Sequence, residues 1–279
     1  MKPILQVEGL HHEYFINGTS HLILQDVTFA VDPGQFVCLI GPSGAGKTTL
    51  FNLLAGIIPV QTGSIRVHGQ PLGPQQRAIG YMLQKDLLLP WRTILDNVLL
   101  GIDVHRRRRT AEDIDRARSY LDRYGLAGYE NAYPNQLSGG MRQRVALIRT
   151  LMVDPAIILL DEPFSALDYQ TRLLLEKEVL DINQREHKTL MLITHDIGEA
   201  ISLADTIIVL SARPARVKAH HHIYLTLPGS RTPWDARKAP EYQTYFDTLW
   251  HELGIDPKGG TGRGSQELSG AQRDQVAEI

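Results

Sequence analysis

Apolar runs alternating with helical stretches constrain this chain more than any other feature of it. FVCLIG follows the turn DPGQ, AIILLDEP spans 156–163, TLMLITH spans 189–195 and TIIVLS spans 206–211. Between the second and third of these lies YQTRLLLEKEVLDINQRE, which reads as a helix. Such alternation implies a mainly parallel sheet. ILQVEGL and LILQDVTFAV open the chain as further strands, and QTGSIRVHG reads as a tight turn leading into another. From Lys85 to about Asp154 the pattern changes to helix signals: TILDNVLLGI, then Thr110 as N-cap of EDIDRARSYLDRY, then MRQRVALIRTLM. A helical insertion is expected there.

The chain has 279 residues, 43% hydrophobic and 22% charged, enough for a large core in one domain carrying an inserted subdomain. A formal net charge of -2 excludes a global field that recruits nucleic acid or anionic lipid, so no nucleic-acid partner is expected. The single cysteine excludes an internal disulfide, and Cys38, inside FVCLI, reads as a small buried hydrophobe. No segment approaches the ~20 apolar residues of a membrane-spanning helix, and MKPILQVEGL lacks the apolar stretch of a signal peptide. The expectation is a chain that is soluble, or peripheral through a partner. From Asp256 onward DPKGGTGRGSQELSGAQRDQ has almost nothing to bury, so 256–279 is expected to be a disordered tail.

GPSGAGKTTL sits between a strand and a helix, and Gly41, Gly44, Gly46, Lys47 and Thr48 satisfy G-x-x-x-x-G-K-[ST] in that context. The glycines let consecutive N–H groups curl around phosphates, Lys47 supplies charge, and the Thr48 hydroxyl suits Mg²⁺. This points to a nucleoside triphosphate. The apolar run before Asp161 and Glu162 fits a central strand whose tip faces those phosphates; Asp161 would help hold the metal and Glu162 would polarise a water. His195 ends another such strand, where it is either a donor to the γ-phosphate or simply a polar cap. Ser138, Gly139 and Gly140 precede MRQRVALIRTLM as a helix N-terminus with a hydroxyl and open N–H groups; the alternative is that the glycines merely begin a helix.

GPSGAGKTT, Gln84, LSGGMRQR, IILLDEP, SALD at 165–168 and His195, in this order, resemble the motif series of the ATP-binding cassette ATPases over residues 4 to 253. The fold this resemblance implies is α/β: a P-loop NTPase core, made of a mixed sheet with flanking helices and an N-terminal antiparallel β part, with an inserted α-helical subdomain. The ATPase domain would cover 1–255 with the insertion at about 86–155. ATP and Mg²⁺ are the implied cofactors, held by Gly41, Pro42, Ser43, Gly44, Ala45, Gly46, Lys47, Thr48 and Thr49. Thr48, Gln84 and Asp161 would face the metal; Glu162, His195, Lys47 and Gln84 would carry catalysis. Tyr14 falls where the family stacks an aromatic ring on adenine, the alternative being a strand aromatic packed in the core. The resemblance further implies a second copy of the chain, paired head to tail so that Ser138, Gly139 and Gly140 of one cover the ATP of the other. Met141 departs from the family, many members having glutamine there.

LLPW followed by DNV, together with SARPARV at 211–217, resembles the ATPase subunits of nitrate, sulfonate and taurine importers. The implied partners are integral-membrane permease subunits and, indirectly, an extracytoplasmic solute-binding protein, with the chain on the cytoplasmic face of the membrane. Exposed Leu87, Leu88, Leu89 and Trp91 would form the permease socket; packing within the helical insertion is the other reading. The competing function is a soluble mechanical ATPase of the same class acting on nucleic acid or ribosomes, but neither a long coiled coil between the glycine loops nor a second cassette is present. RRRR at 106–109 reads as a solvated face beside the acids at 112, 113 and 115, and HHH at 220–222 as strand residues on opposite faces, without an accompanying acid cluster.

Overall fold

The computed structural model describes residues 2–73, 78–106 and 108–254. In chain order the strands are β1 (Leu5–Ile16), β2 (Thr19–Val31), β3 (Phe36–Ile40), β4 (Thr62–Val67), β5 (Gln70–Pro71), β6 (Ile79–Met82), β7 (Ile157–Asp161), β8 (Thr189–Ile193), β9 (Thr206–Leu210) and β10 (Val217–His222). The helices are α1 (Lys47–Leu54), α2 (Ile94–Val98), α3 (Leu100–Arg106), α4 (Ala111–Arg123), α5 (Gly139–Leu151), α6 (Tyr169–Glu186), α7 (Ile197–Leu203), α8 (Pro233–Ala236) and α9 (Tyr242–Glu252).

One sheet has the order β10-β9-β3-β8-β7-β6, with only β10 antiparallel to its neighbour; the other, β2-β1-β4-β5, is antiparallel throughout. Every residue of β3, β7, β8 and β9 is buried, because both faces of these strands are covered. Side chains alternate between two cores. Val37, Leu39, Ile157, Leu159, Met191 and Ile193 pack with Leu50, Phe51 and Leu54 of α1 and with Leu24 of β2. Cys38, Ile40, Ile158, Leu160 and Leu192 face the other way, onto Val145, Ile148, Val179 and Ile201 of the helices α5, α6 and α7. Cys38 is fully buried, as its apolar surroundings in the sequence suggest, and burial pushes its thiol well above the usual range.

Between the adjacent parallel strands β6 and β7 the described chain is helical or loop. Thr110 caps α4, and Thr110 and Asp113 form a reciprocal capping box. Three local expectations change. TILDNVLLGI forms two short helices, not one, with Leu99 capping α2. ILQVEGL runs on past Gly9 to Ile16, because Gly9 takes a left-handed φ of 56° and register shifts let β1 bend between β2 and β4. Helix α5 begins at Gly139, so its glycines lie inside the first turn and do not precede it. The tail at 256–279 lies outside the described residues.

Candidate active site

Five parallel strands end on the same side of the large sheet, and each delivers a polar group. β3 leads into the glycine loop, β8 into His195, β7 into Asp161 and Glu162, β6 towards Gln84, and β9 into SARPARV. The carboxyl ends of parallel strands are where such sheets bind ligands. An open cleft of about 610 Å³ is lined there by Ser43 to Thr49, Glu162, His195 and Arg213.

Backbone geometry builds the first loop. Gly44 and Gly46 have φ of 73° and 94°, a region that side chains adopt at a cost. A Cβ on Gly46 would lie 2.6 Å from Ile23 Cγ2, whereas one on Gly44 would meet nothing, so the loop is tightly backed and open in front. Lys47 is buried, and its Nζ donates to the carbonyls of Gly41 at 2.8 Å and Pro42 at 3.0 Å. Burial lowers its pKa against the opposing pull of Glu162 and Asp161. The loop thus presents an under-solvated ammonium, a helix N-terminus and Thr48 together.

Asp161 ends β7 opposite Ile193 of β8 and is 4% exposed. Burial raises its pKa, opposed by hydrogen bonds from Thr48 and Tyr81, whose hydroxyl donates to Asp161 Oδ2 at 3.2 Å. Glu162 takes a left-handed backbone, φ 45°, while its N–H donates to Ile193 O at 3.0 Å. That strained turn aims its carboxylate between two side chains: Gln84 Nε2 donates to Oε2 at 3.1 Å, and His195 Nδ1 lies 3.3 Å from the same oxygen. Gln84, Glu162 and His195, read separately from sequence, therefore converge. Behind His195, Glu199 accepts from Thr194 Oγ1 at 2.5 Å and lies 3.7 Å from Arg172, and burial pushes its carboxyl up to about 7. Neither Tyr81 nor Glu199 carried a signal in the sequence; each is placed by its strand or helix neighbour.

The second glycine loop lies elsewhere. Ser138 caps α5, its Oγ accepting from Met141 N at 3.3 Å. Gly139 lines a separate cleft of about 470 Å³ with Gln84 to Leu88, Arg142, Gln143 and Ala166. Gln84 links the two: it lines this second cleft, its side chain donates to Glu162 of the first, and its carbonyl accepts from Gln143 Nε2 at 3.3 Å. The expected socket is only partly exposed: Leu87 (52%) and Trp91 (72%) are open, but Leu88 is buried in the helical core at 8% and Leu89 is half-buried. Asn97, fully buried, forces that arrangement by bonding the backbone of Leu89, Arg92 and Thr93.

Tyr14 is not among the residues lining the phosphate cleft; it lies edge-to-face with His12 at 4.7 Å and against the β1–β2 core. Arg109 is no solvated charge: its guanidinium bonds Asp103 at 2.7 Å and Asp96 at 2.6 Å, acids outside the expected set, while Arg107 lies outside the described residues. An acid does accompany the histidine run, since His221 Nε2 lies 2.9 Å from Glu252 Oε2, but no group of three potential metal ligands occurs among the described residues.

The donors fit the implied groups. Thr48 and Asp161 offer the hard oxygens that suit Mg²⁺, which needs few protein carboxylates when phosphates complete its shell. The open face at Gly44 and the buried Lys47 suit a phosphate chain. Fold and site together define a P-loop ATPase. A family profile described as "ABC transporter" matches residues 24–165. The chain is 44% identical over 252 residues to an uncharacterized ABC transporter ATP-binding protein of Bacillus subtilis, covering 89% of this chain and 95% of that one. It is 36% identical to the nitrate import ATP-binding protein NrtD of Synechocystis, covering 88% and 93%, and 43% identical to the taurine import ATP-binding protein TauB of Yersinia pestis, covering 77% and 82%. An ATP-binding cassette solved as a dimer in a post-hydrolysis state with ADP and Pi matches with a TM-score of 0.71 at 30% identity, covering 79% of this chain and 99% of that one. The chain belongs to the ABC transporter ATP-binding family; it is an ATPase subunit of that class.

Proposed function

We propose that this chain drives solute import, pairing with a second copy around two ATP and docking on separate permease subunits fed by an extracytoplasmic solute-binding protein. The observation that carries the pairing is the separation of the two glycine loops into different clefts of one chain. Ser138, Gly139 and Gly140 form a helix N-terminus suited to a γ-phosphate, and a partner's nucleotide is the phosphate that lets both loops act. The dimeric cassette with ADP and Pi supports the same reading. The nitrate and taurine import relatives favour an importer, with a solute of the nitrate, sulfonate or taurine kind. Among the described residues no helix is long and apolar enough to cross a membrane, which suits a peripheral subunit on the cytoplasmic face. Exposed Leu87 and Trp91 are the proposed permease contact.

In the proposed reaction, residues 41–49 bind the phosphate chain and Lys47 leaves its loop carbonyls for the β- and γ-phosphates. Tyr14 stacks on the adenine. Mg²⁺, held by Thr48, Asp161 and the amide oxygen of Gln84, would supply charge neutralisation at the phosphate oxygens. Glu162 takes a proton from the attacking water, whose oxygen bonds the γ-phosphorus as the bridging oxygen departs with ADP. His195 donates to the γ-phosphate and orients the Glu162 carboxylate, 3.3 Å away.

Light scattering of Glu162→Gln with and without Mg²⁺-ATP tests the pairing. A monomer that becomes a dimer only with ATP, and fails to do so when Ser138→Arg is added, is the expected result. ATP-bound monomer in Glu162→Gln, with the assembled transporter also indifferent to Ser138→Arg, would overturn it.

A further inference from the structure

The loop between β9 and β10, which carries SARPARV, is the fifth strand tip at the cleft, and no role at the nucleotide has been given to it above. It is firmly built. Ser211 N donates to Arg216 O at 3.0 Å, and Ser211 Oγ accepts from Arg216 N at 3.0 Å. Ala215 is fully buried, donates to Ile23 O at 2.7 Å and accepts from Gln25 N at 2.9 Å, which fixes the loop to β2.

The same elements enclose the phosphate loop. A Cβ on Gly41 would lie 3.1 Å from Leu210, the last residue of β9, and Ile23 of β2 backs Gly46. From that frame Arg213 reaches the loop apex, where its Nε donates to Gly44 O at 3.2 Å. Arg213 is exposed and lines the cleft beside Lys47, Thr48, Glu162 and His195. A guanidinium has five N–H donors in a planar fork, and one of them bonds Gly44. The terminal nitrogens are the part of the group suited to bidentate phosphate binding. Glu162 lines this cleft, and both it and the buried Asp161 act on the Lys47 ammonium, so a second cation at the loop apex helps offset the repulsion that an incoming phosphate chain meets.

We propose that Arg213 is a nucleotide-binding residue, contributing a second cation to the phosphate site of its own chain. The inference rests on the ATPase reading and adds to it a residue from outside the motif series. Because β9 lies beside β3 in the sheet, the cation arrives from the side of the glycine loop opposite the Glu162 strand.

Binding of Mg²⁺-ATP to the isolated chain by calorimetry, with thermal melting as a control, tests it. Arg213→Ala is expected to weaken binding about tenfold, as loss of a charge-assisted phosphate contact does, with melting unchanged. Arg213→Lys keeps the charge and Arg213→Gln keeps a donor for Gly44 O, so recovery by Lys and not by Gln supports phosphate binding. Recovery by Gln alone would mean that Arg213 only clamps the loop, and would overturn the proposal. So would unchanged ATP affinity in Arg213→Ala, including the case where dimerisation of Glu162→Gln is lost, since the arginine would then serve the partner and not the nucleotide. Lys47→Ala separates the two levels: if it and the wild type both fail to bind ATP, the ATPase reading falls; if the wild type binds, Lys47→Ala does not and Arg213→Ala does, only the role of Arg213 falls.

Discussion

The two glycine loops are alike in composition and are built for different reasons. In the first, Gly44 and Gly46 occupy left-handed backbone at φ 73° and 94°, so glycine is there for conformation. In the second, Gly139 and Gly140 are helical, and Gly140 is required by proximity: its Cβ would lie 2.5 Å from Thr171 Cγ2 on α6. The phosphate loop therefore carries its shape in its own backbone, with Ile23 and Leu210 as backing. The shape of the other is set by how closely α5 approaches α6, so movement between those helices would reshape it without altering any residue in it.

The largest expected effect tests the chemistry at the first loop alone. Glu162→Gln should lower turnover about a thousandfold by removing the proposed base, with ATP still bound; single-turnover phosphate release measured beside nucleotide binding checks both. Next comes the contrast itself. Gly46→Ala should cost about 2–4 kcal/mol, from left-handed backbone and overpacking against Ile23. Gly140→Ala should cost about 1–3 kcal/mol from overpacking alone. Thr171→Ser, which removes only the clashing methyl, should restore Gly140→Ala in urea denaturation. If no single truncation spares Gly46→Ala, the distinction holds; if Thr171→Ser fails to rescue Gly140→Ala, it breaks.

The smallest effect is a pH dependence carried by the first loop's surroundings. Burial raises the Glu199 carboxyl to about 7, with Asp196 and Glu176 adding to the rise and Thr194 and Arg172 opposing it. The folded protein then holds a proton that the unfolded chain has released, so stability falls as pH rises from the ordinary glutamate range to about 7 and levels off above it. Urea melts at pH 6 and pH 8 should differ by about 1 kcal/mol from this group, and Glu199→Gln should remove that difference.

Much of this was legible in the sequence, for identifiable reasons. Strands buried on both faces must be apolar throughout, so β3, β7, β8 and β9 announced themselves, and α6 runs from Tyr169 to Glu186 as its pattern predicts, with Asp168 accepting from Gln170 N and Thr171 N. Glu162 and His195 each follow such a strand, Gln84 follows the shorter, half-buried β6, and parallel pairing brings the three tips together. What escaped depends on neighbours distant in sequence. Leu88 reads like Leu87, yet one is buried and the other exposed, with Arg149 holding the carbonyls of Asp86 and Leu87 and Asn97 holding the N–H of Leu89. Arg109 finds its acids on α2 and α3, not on the helix that follows it. Arg213 reaches Gly44 across 169 positions of chain, a distance that no local pattern spans.

Gln84 is tied at both ends, by its side chain to Glu162 and by its carbonyl to Gln143 at 3.3 Å. The second tie is under-bonded: Gln143 is buried, and its Oε1 meets no donor among the described residues. A buried acceptor left without a donor is a standing penalty of about 1–3 kcal/mol, so the seam between the sheet and α5 is held together less tightly than its burial would allow. Parting there would expose that oxygen to water instead of breaking a fully satisfied contact, so movement of α5 against the sheet costs less at this joint than the burial of Gln143 suggests.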